Sequence, residues 1–369
     1  MTAPRLDIDG LLADPAIRIV VCCGSGGVGK TTTAAALGVR AAEVHGRRTV
    51  VLTIDPARRL AQSMGLTELN NTPRQVKDIE GGGLYAMMLD MKRTFDEVVE
   101  QHTKPERAAE IFANPFYQAM SSTFAGTQEY MAMEKLGQLR AGDEWDLIIV
   151  DTPPSRSALD FLDAPARLSR FLDGRMLRML LAPARGGRSM FSLVTASFGL
   201  FSRAVQKILG AQLLTDLSGF VAALDSMFGG FRQRADQTYR ILQDPQTAFL
   251  LVAAPERDAI REAAYFAERL VAERMPLSGL VLNRMHRTEP AGLSAEASLA
   301  AAQQLSADAP LAADVLRIHA GLLRQSEREV RVAAGFTEAF PEVPTTSVAA
   351  QPADVHDVDG LRTIGALLA

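Results

Sequence analysis

The chain has 369 residues, 47% of them apolar, a formal net charge of −4 and two cysteines. This length suits one α/β domain with a large insertion as well as it suits two domains, and the apolar fraction supports a sizeable core. The mild acidic balance lacks the basic excess of a nucleic-acid binder, so no nucleic-acid partner is expected. Met1 to Pro15 is polar and acidic rather than a secretory signal, and no run of about 20 apolar residues marks a membrane span. A cytoplasmic protein, at most transiently at a membrane surface, is the expectation.

Residues 1–16 read as an N-terminal tail with a short helical patch around Leu11 and Leu12. Ile17–Cys23 is a β-branched run of strand length, followed by a glycine-rich loop and an Ala-rich helix, Lys30–Val44. Thr49–Ile54 is a second buried strand and ends at Asp55-Pro56. This strand–loop–helix–strand unit opens a doubly wound, mostly parallel sheet. Cys22 and Cys23 are neighbours on the first strand, so their side chains point to opposite faces and neither a shared disulfide nor a shared metal is expected.

Leu84–Leu89 is another short strand, and Lys92–Leu139 reads as helices broken near Pro105 and Pro115. Trp145–Val150 is a buried strand closed by Asp151, and Thr247–Ala253 and Leu277–Leu282 are two more, with a helix, Ala259–Arg274, between them. A long helix around Asp314–Ala333 and a short closing helix from Asp359 complete the pattern. Between the strand before Asp151 and the one at Thr247 lie about 95 residues without a strand pattern, far more than a crossover helix needs. The expected organisation is a tail over 1–16, an α/β core over 17–156 and 245–369, and an inserted helical subdomain over 157–244. That insertion is rich in Met, Phe and Leu, for example Met176, Met179, Met190, Phe198 and Phe201. Such residues serve equally as ordinary helical core or as an adaptable groove for apolar helices.

Residues 24–31, Gly-Ser-Gly-Gly-Val-Gly-Lys-Thr, match the phosphate-loop pattern G-x-x-x-x-G-K-[ST] in the required setting, after a strand and before a helix. Glycines let the backbone turn tightly and aim N–H groups at a phosphate, and the following helix adds its positive N-terminal end. Gly26, Gly27, Val28, Gly29, Lys30, Thr31 and Thr32 are therefore candidate nucleotide-binding residues. Lys30 would bring charge to the β- and γ-phosphates, and the Thr31 hydroxyl would coordinate Mg²⁺. Thr32, one step further along, is in reach of the α-phosphate.

A phosphate loop needs a carboxylate at a neighbouring strand end to hold Mg²⁺, directly or through water. Asp151, in LIIVD, fits, since ligands bind at the carboxyl ends of parallel strands; a helix cap is its structural alternative. Asp55 closes the second strand and could orient an attacking water, or it forms an Asp-Pro turn. Arg58 and Arg59 follow, either against a phosphate or in solvent. The expected chemistry is that of a P-loop NTPase, with Lys30, Asp55 and Asp151 as its catalytic candidates.

The ordered set GSGGVGKTT, IDPARRL, IIVDTPPS and an Asn at a strand end in LVLNR resembles the arsenite-pump ATPase (ArsA) family, over nearly the whole chain. That family includes guided-entry ATPases that deliver tail-anchored membrane proteins, and it belongs to the larger group with a deviant phosphate loop. The resemblance implies ATP and Mg²⁺ as ligands, a nucleotide-switched dimer, and a first switch at Asp55 and a second at Asp151. It implies that Asn283 reads the adenine, which an amide with both donor and acceptor can do, although a turn-forming Asn is the alternative. Glu256 matches a Pro-Glu pair of the family but is equally an acid favoured at a helix start. Pro352 and Asp354 fall in a loose match to the loop over the adenine.

Three departures matter. The family's loop usually begins Lys-Gly-Gly, the lysine reaching a partner's nucleotide, and Ser25 stands there instead. A serine cannot neutralise phosphate charge, so a heterodimer with a paralogous ATPase subunit is the favoured expectation, with a weakly hydrolysing homodimer as the alternative. No Cys-x-x-Cys pair exists, so no zinc is expected. The only thiols lie on a buried strand, which excludes a thiolate metalloid site. The resemblance leaves three roles open: an ATPase for hydrophobic or membrane-protein clients, the energising subunit of a membrane transporter, or a regulatory subunit dominated by its partner.

Overall fold

The computed structural model describes residues 3–55, 59–115, 117–118, 127–153, 233–286 and 292–369. Among these residues eight strands form one sheet: β1 (Ile19–Cys23), β2 (Thr49–Thr53), β3 (Arg74–Gln75), β4 (Leu84–Met88), β5 (Leu147–Asp151), β6 (Thr247–Ala253), β7 (Leu277–Met285) and β8 (Thr345–Ala349). Their order is β3-β4-β2-β5-β1-β6-β7-β8, and only the β3–β4 pair is antiparallel. The expected α/β class with a mostly parallel, doubly wound sheet is what the chain forms. Strands β1, β2, β5 and β6 are buried along their whole length, which is why they read as continuous apolar runs rather than alternating ones.

From β1 the chain crosses over β5 to reach β2, whereas β6, β7 and β8 extend the sheet the other way. The carboxyl end of β1 is therefore the switch point where strand order reverses and a crevice opens. The glycine-rich loop starts there and leads into α2 (Lys30–Glu43). This helix lies close on the sheet because Gly38 faces it: a Cβ there would come within 2.8 Å of Val51 Cγ2. The closing helix, Val358–Leu368, packs on the same helix, with Gly365 against the Ala36 carbonyl and Arg362 paired to Glu43 at 2.7 Å.

The N-terminal segment is not the free tail that its polar residues imply. Leu6, Ile8 and Leu12 are buried in the core, α1 (Ile8–Ala13) is capped by Asp7, and Asp9 pairs with Arg40 of α2 at 2.6 Å. Three well-spaced apolar residues outweigh the polar composition because each finds a site on the sheet unit. The helix after β6 (Arg257–Ala272), a helix over Ala295–Leu305 and a long helix, Pro310–Ala339, complete this unit.

Residues 90–138 group with residues 233–240 in a second compact unit. Its helices Met91–His102 and Pro105–Ala113 match the predicted break at Pro105, which sits in the first turn. Within it Tyr117 Oη donates to Asp96 at 2.6 Å and Arg234 pairs with buried Glu134 at 3.0 Å. The expected insertion over 157–244, including all its Met- and Phe-rich stretches, lies outside the described residues except for 233–244.

Candidate nucleotide site

The crevice at the switch point contains a cavity of about 600 Å³, within the range of small-molecule sites. Its walls are Gly26, Gly27, Gly29, Lys30, Thr31 and Thr32 from the loop and α2, Asp55 after β2, Arg59, Gln62 and Ser63 on one side, and Arg284 with Asp354, Val355 and His356 on the other.

The loop takes its shape from glycine. Gly24, Gly27 and Gly29 have φ of +155°, +77° and +96°, where other residues are strained. At Gly29 space is also lacking, since a Cβ would stand 2.1 Å from Asn283 Nδ2. Gly29→Ala is expected to destabilise the sheet unit by roughly 2 kcal/mol or more, read as a lowered urea midpoint, and to disorder the loop. Gly29 caps α2 with no side-chain hydrogen bond, so the N–H groups of the first turn remain available to an anion.

Lys30 is buried, and its Nζ donates to the Ser25 carbonyl at 2.8 Å. Burial pulls its ammonium below the ordinary value, while Asp151 opposes that shift. Asp151 lies fully buried at the end of β5. Its Oδ2 accepts from Thr31 Oγ1 at 2.8 Å and from Thr53 Oγ1 at 2.9 Å, whereas Oδ1 is buried without a hydrogen-bond partner among the described residues. Burial raises its carboxyl to about 6, against the lowering effect of the two hydroxyls and Lys30. A buried carboxylate with one oxygen unsatisfied is costly.

The remaining candidates divide. Asp55 and Asp354 line the cavity. Val28 is buried below the loop. Asn283 is buried rather than facing the cavity: its amide donates to the Val28 carbonyl at 2.8 Å and accepts from Arg284 N at 3.0 Å. It braces the loop from β7. Glu256 is the exposed N-cap of the helix after β6, makes no capping bond and is not a wall residue. Pro352 is exposed and also outside the lining. Arg284, Gln62 and Ser63 are wall residues that the motifs did not single out; their positions depend on loop geometry and not on local pattern.

The comparisons with known proteins agree with this geometry. Residues 17–304 match the model of a family described as anion-transporting ATPases. The ATPase GET3 of Malassezia globosa is 24% identical over 283 residues, 75% of this chain and 76% of that protein. The ATPase GET3B of Arabidopsis thaliana is 24% identical over 304 residues, 76% and 67% of the two chains. An ATPase ASNA1 homolog of Cryptosporidium parvum is 26% identical over 267 residues, 71% and 63%. With a family model spanning most of its length and a phosphate cradle at the switch point of its sheet, the chain belongs to the anion-transporting ATPase (ArsA) family.

Proposed function

We propose that the chain binds ATP with Mg²⁺ in this cavity and hydrolyses it, as one subunit of a nucleotide-switched dimer that acts on a hydrophobic or membrane-protein client. The observation that carries the chemistry is the Lys30–Thr31–Asp151 cluster beneath the glycine-rich loop, with Lys30 and Asp151 buried. The residues fit Mg²⁺. The Thr31 hydroxyl and, through water, the orphaned Asp151 oxygen would hold it, with the remaining positions taken by water and phosphate oxygens. When bound, Mg²⁺ would neutralise charge on the β- and γ-phosphates.

The protein's own groups divide the rest of the work. Loop N–H groups and Lys30 bind and orient the phosphates, and Asp55, at the end of β2 in the cavity wall, orients the attacking water. ATP turnover by the purified chain tests the reading. Asp55→Asn is expected to leave the Kd for ATP unchanged and to lower kcat by on the order of 100-fold; unchanged kcat would remove Asp55 from that role.

A second reading has its own observation. At the position of the family's cross-subunit lysine, Ser25 offers no cation, and its carbonyl takes the Lys30 ammonium. This favours a chain that hydrolyses slowly alone and pairs with a paralogue that supplies the missing charge, as a regulatory subunit or as the energising subunit of an anion or solute transporter, the role that the family's description carries. Among the described residues no helix is long and apolar enough to cross a membrane.

A further inference from the structure

We infer that Arg59 is a catalytic residue that supplies, from within the chain, positive charge to the γ-phosphate in the transition state; the inference rests on the ATP-hydrolysis reading above. It starts from the sequence just after Asp55, where α3 (Arg59–Ser63) has an apolar and a polar side. Leu60, Ala61 and the following Met64 are buried in the core. Arg59, Gln62 and Ser63 share the other face, at the i, i+3 and i+4 spacing of helical neighbours, and all three line the cavity. The apolar side fixes the short helix on the sheet unit, so the face that bears Arg59 is held toward the cavity. Arg59 is exposed, and among the described residues its guanidinium makes no hydrogen bond or ion pair. Arg58, its neighbour in the chain, lies outside the described residues.

Topology says which end of a nucleotide Arg59 meets. Helix α3 follows β2 and Asp55, whereas Arg284, the other wall arginine, stands near the end of β7 on the far side of the loop. A nucleotide with its phosphates on the loop and the attacking water at Asp55 therefore has its γ-phosphate on the side of Arg59. The loop brings one side-chain cation, Lys30, whose ammonium also donates to the Ser25 carbonyl, and the Ser25 side chain brings none. In hydrolysis the water oxygen bonds to the γ phosphorus while the bond from that phosphorus to the β–γ bridging oxygen breaks. The electron pair stays on ADP, one water proton ends on the released phosphate and the other in solvent. Charge spreads over the oxygens of the transferring group as this happens. A guanidinium is planar, always charged and able to give paired N–H groups to two such oxygens. A cation that holds them more tightly as the bonds change lowers the barrier without tightening ATP in the ground state. Arg59 thereby provides in the same chain the charge that Ser25 lacks.

The test uses the full chain with Arg59→Ala and Arg59→Lys. Alanine suits a helix and the position is exposed, so the fold is retained, checked by an unchanged urea midpoint. Affinities for ATP and for ADP with aluminium fluoride, a mimic of the transferring phosphoryl group, are measured by calorimetry with Mg²⁺ present, and kcat at saturating ATP. In Arg59→Ala the ATP affinity is expected to stay within about threefold of the wild type, whereas kcat and the ADP–aluminium fluoride affinity both fall by on the order of 100-fold. Arg59→Lys is expected to recover part of both losses, since the charge returns without the fork. An equal loss of ATP affinity would make Arg59 a ground-state phosphate contact, and unchanged kcat and ADP–aluminium fluoride affinity would leave it in solvent; either result overturns the inference. So would a wild-type chain that binds ATP with Mg²⁺ and turns none over. Failure of the wild-type chain to bind ATP would instead overturn the functional reading on which the inference rests.

Discussion

Replacing Asp151 with Asn is expected to abolish ATP turnover while making the nucleotide-free protein more stable at neutral pH. The carboxyl is fully buried and raised from 3.8 to about 6, so the folded state holds its proton more tightly than the unfolded state does. Between about pH 4 and pH 6 the folded chain binds more protons, and stability falls as pH rises through that window. Above it the full penalty of the buried charge is present, about 3 kcal/mol for a shift of this size. Asn carries no charge and can keep hydrogen bonds to the rotatable hydroxyls of Thr31 and Thr53. The Tm of Asp151→Asn should therefore exceed that of the wild type near pH 7.5, with the difference vanishing near pH 4. In the same variant the Mg²⁺-dependent part of ATP affinity should disappear and kcat should fall by on the order of 100-fold or more. A variant with wild-type turnover, or one less stable than the wild type at every pH, would show that Asp151 is a structural group with no cation to hold.

The second large effect is expected at Lys30. Its ammonium is buried and is held by the Ser25 carbonyl at the base of the cradle, close enough to Asp151 to lower the carboxyl's pKa. Lys30→Ala removes the one cation that the loop supplies. Affinity for ATP should fall at least about 100-fold, measured by titration with a fluorescent ATP analogue. The same change should lift the Asp151 pKa further, so the pH window of declining stability moves upward. ATP binding within threefold of the wild type would show that the backbone N–H groups alone hold the phosphates.

These two residues were legible in the sequence because their signals are local. Lys30 belongs to a contiguous loop whose glycines are required by positive φ, and Asp151 closes an unbroken apolar strand. The central strands were legible for the same reason, being buried on both faces. The strands that were missed are those with little burial: β3 is two exposed residues, and β8 is a polar, half-exposed TTSVA run. The docking of α1 was missed because three apolar residues in a polar stretch carry no periodic signal, although their tertiary sites are specific. At β7 the motif marks the strand end that reaches the cavity, where Arg284 is a wall residue and Asn283 donates to the Val28 carbonyl of the loop. A strand irregularity turns adjacent side chains in different directions, and no pattern in LVLNR encodes it.

Strand β1 carries both cysteines of the chain, and both are buried. Desolvation pushes the Cys22 thiol well above its ordinary value and the Cys23 thiol to about 12, so neither offers a thiolate at neutral pH. For spectroscopy the native protein is thus already a silent background. A single cysteine introduced on an exposed helix would be the one thiol to take a fluorophore or spin label. Distances between two such labels could then follow the response to nucleotide without first removing either native cysteine from the strand that launches the phosphate loop.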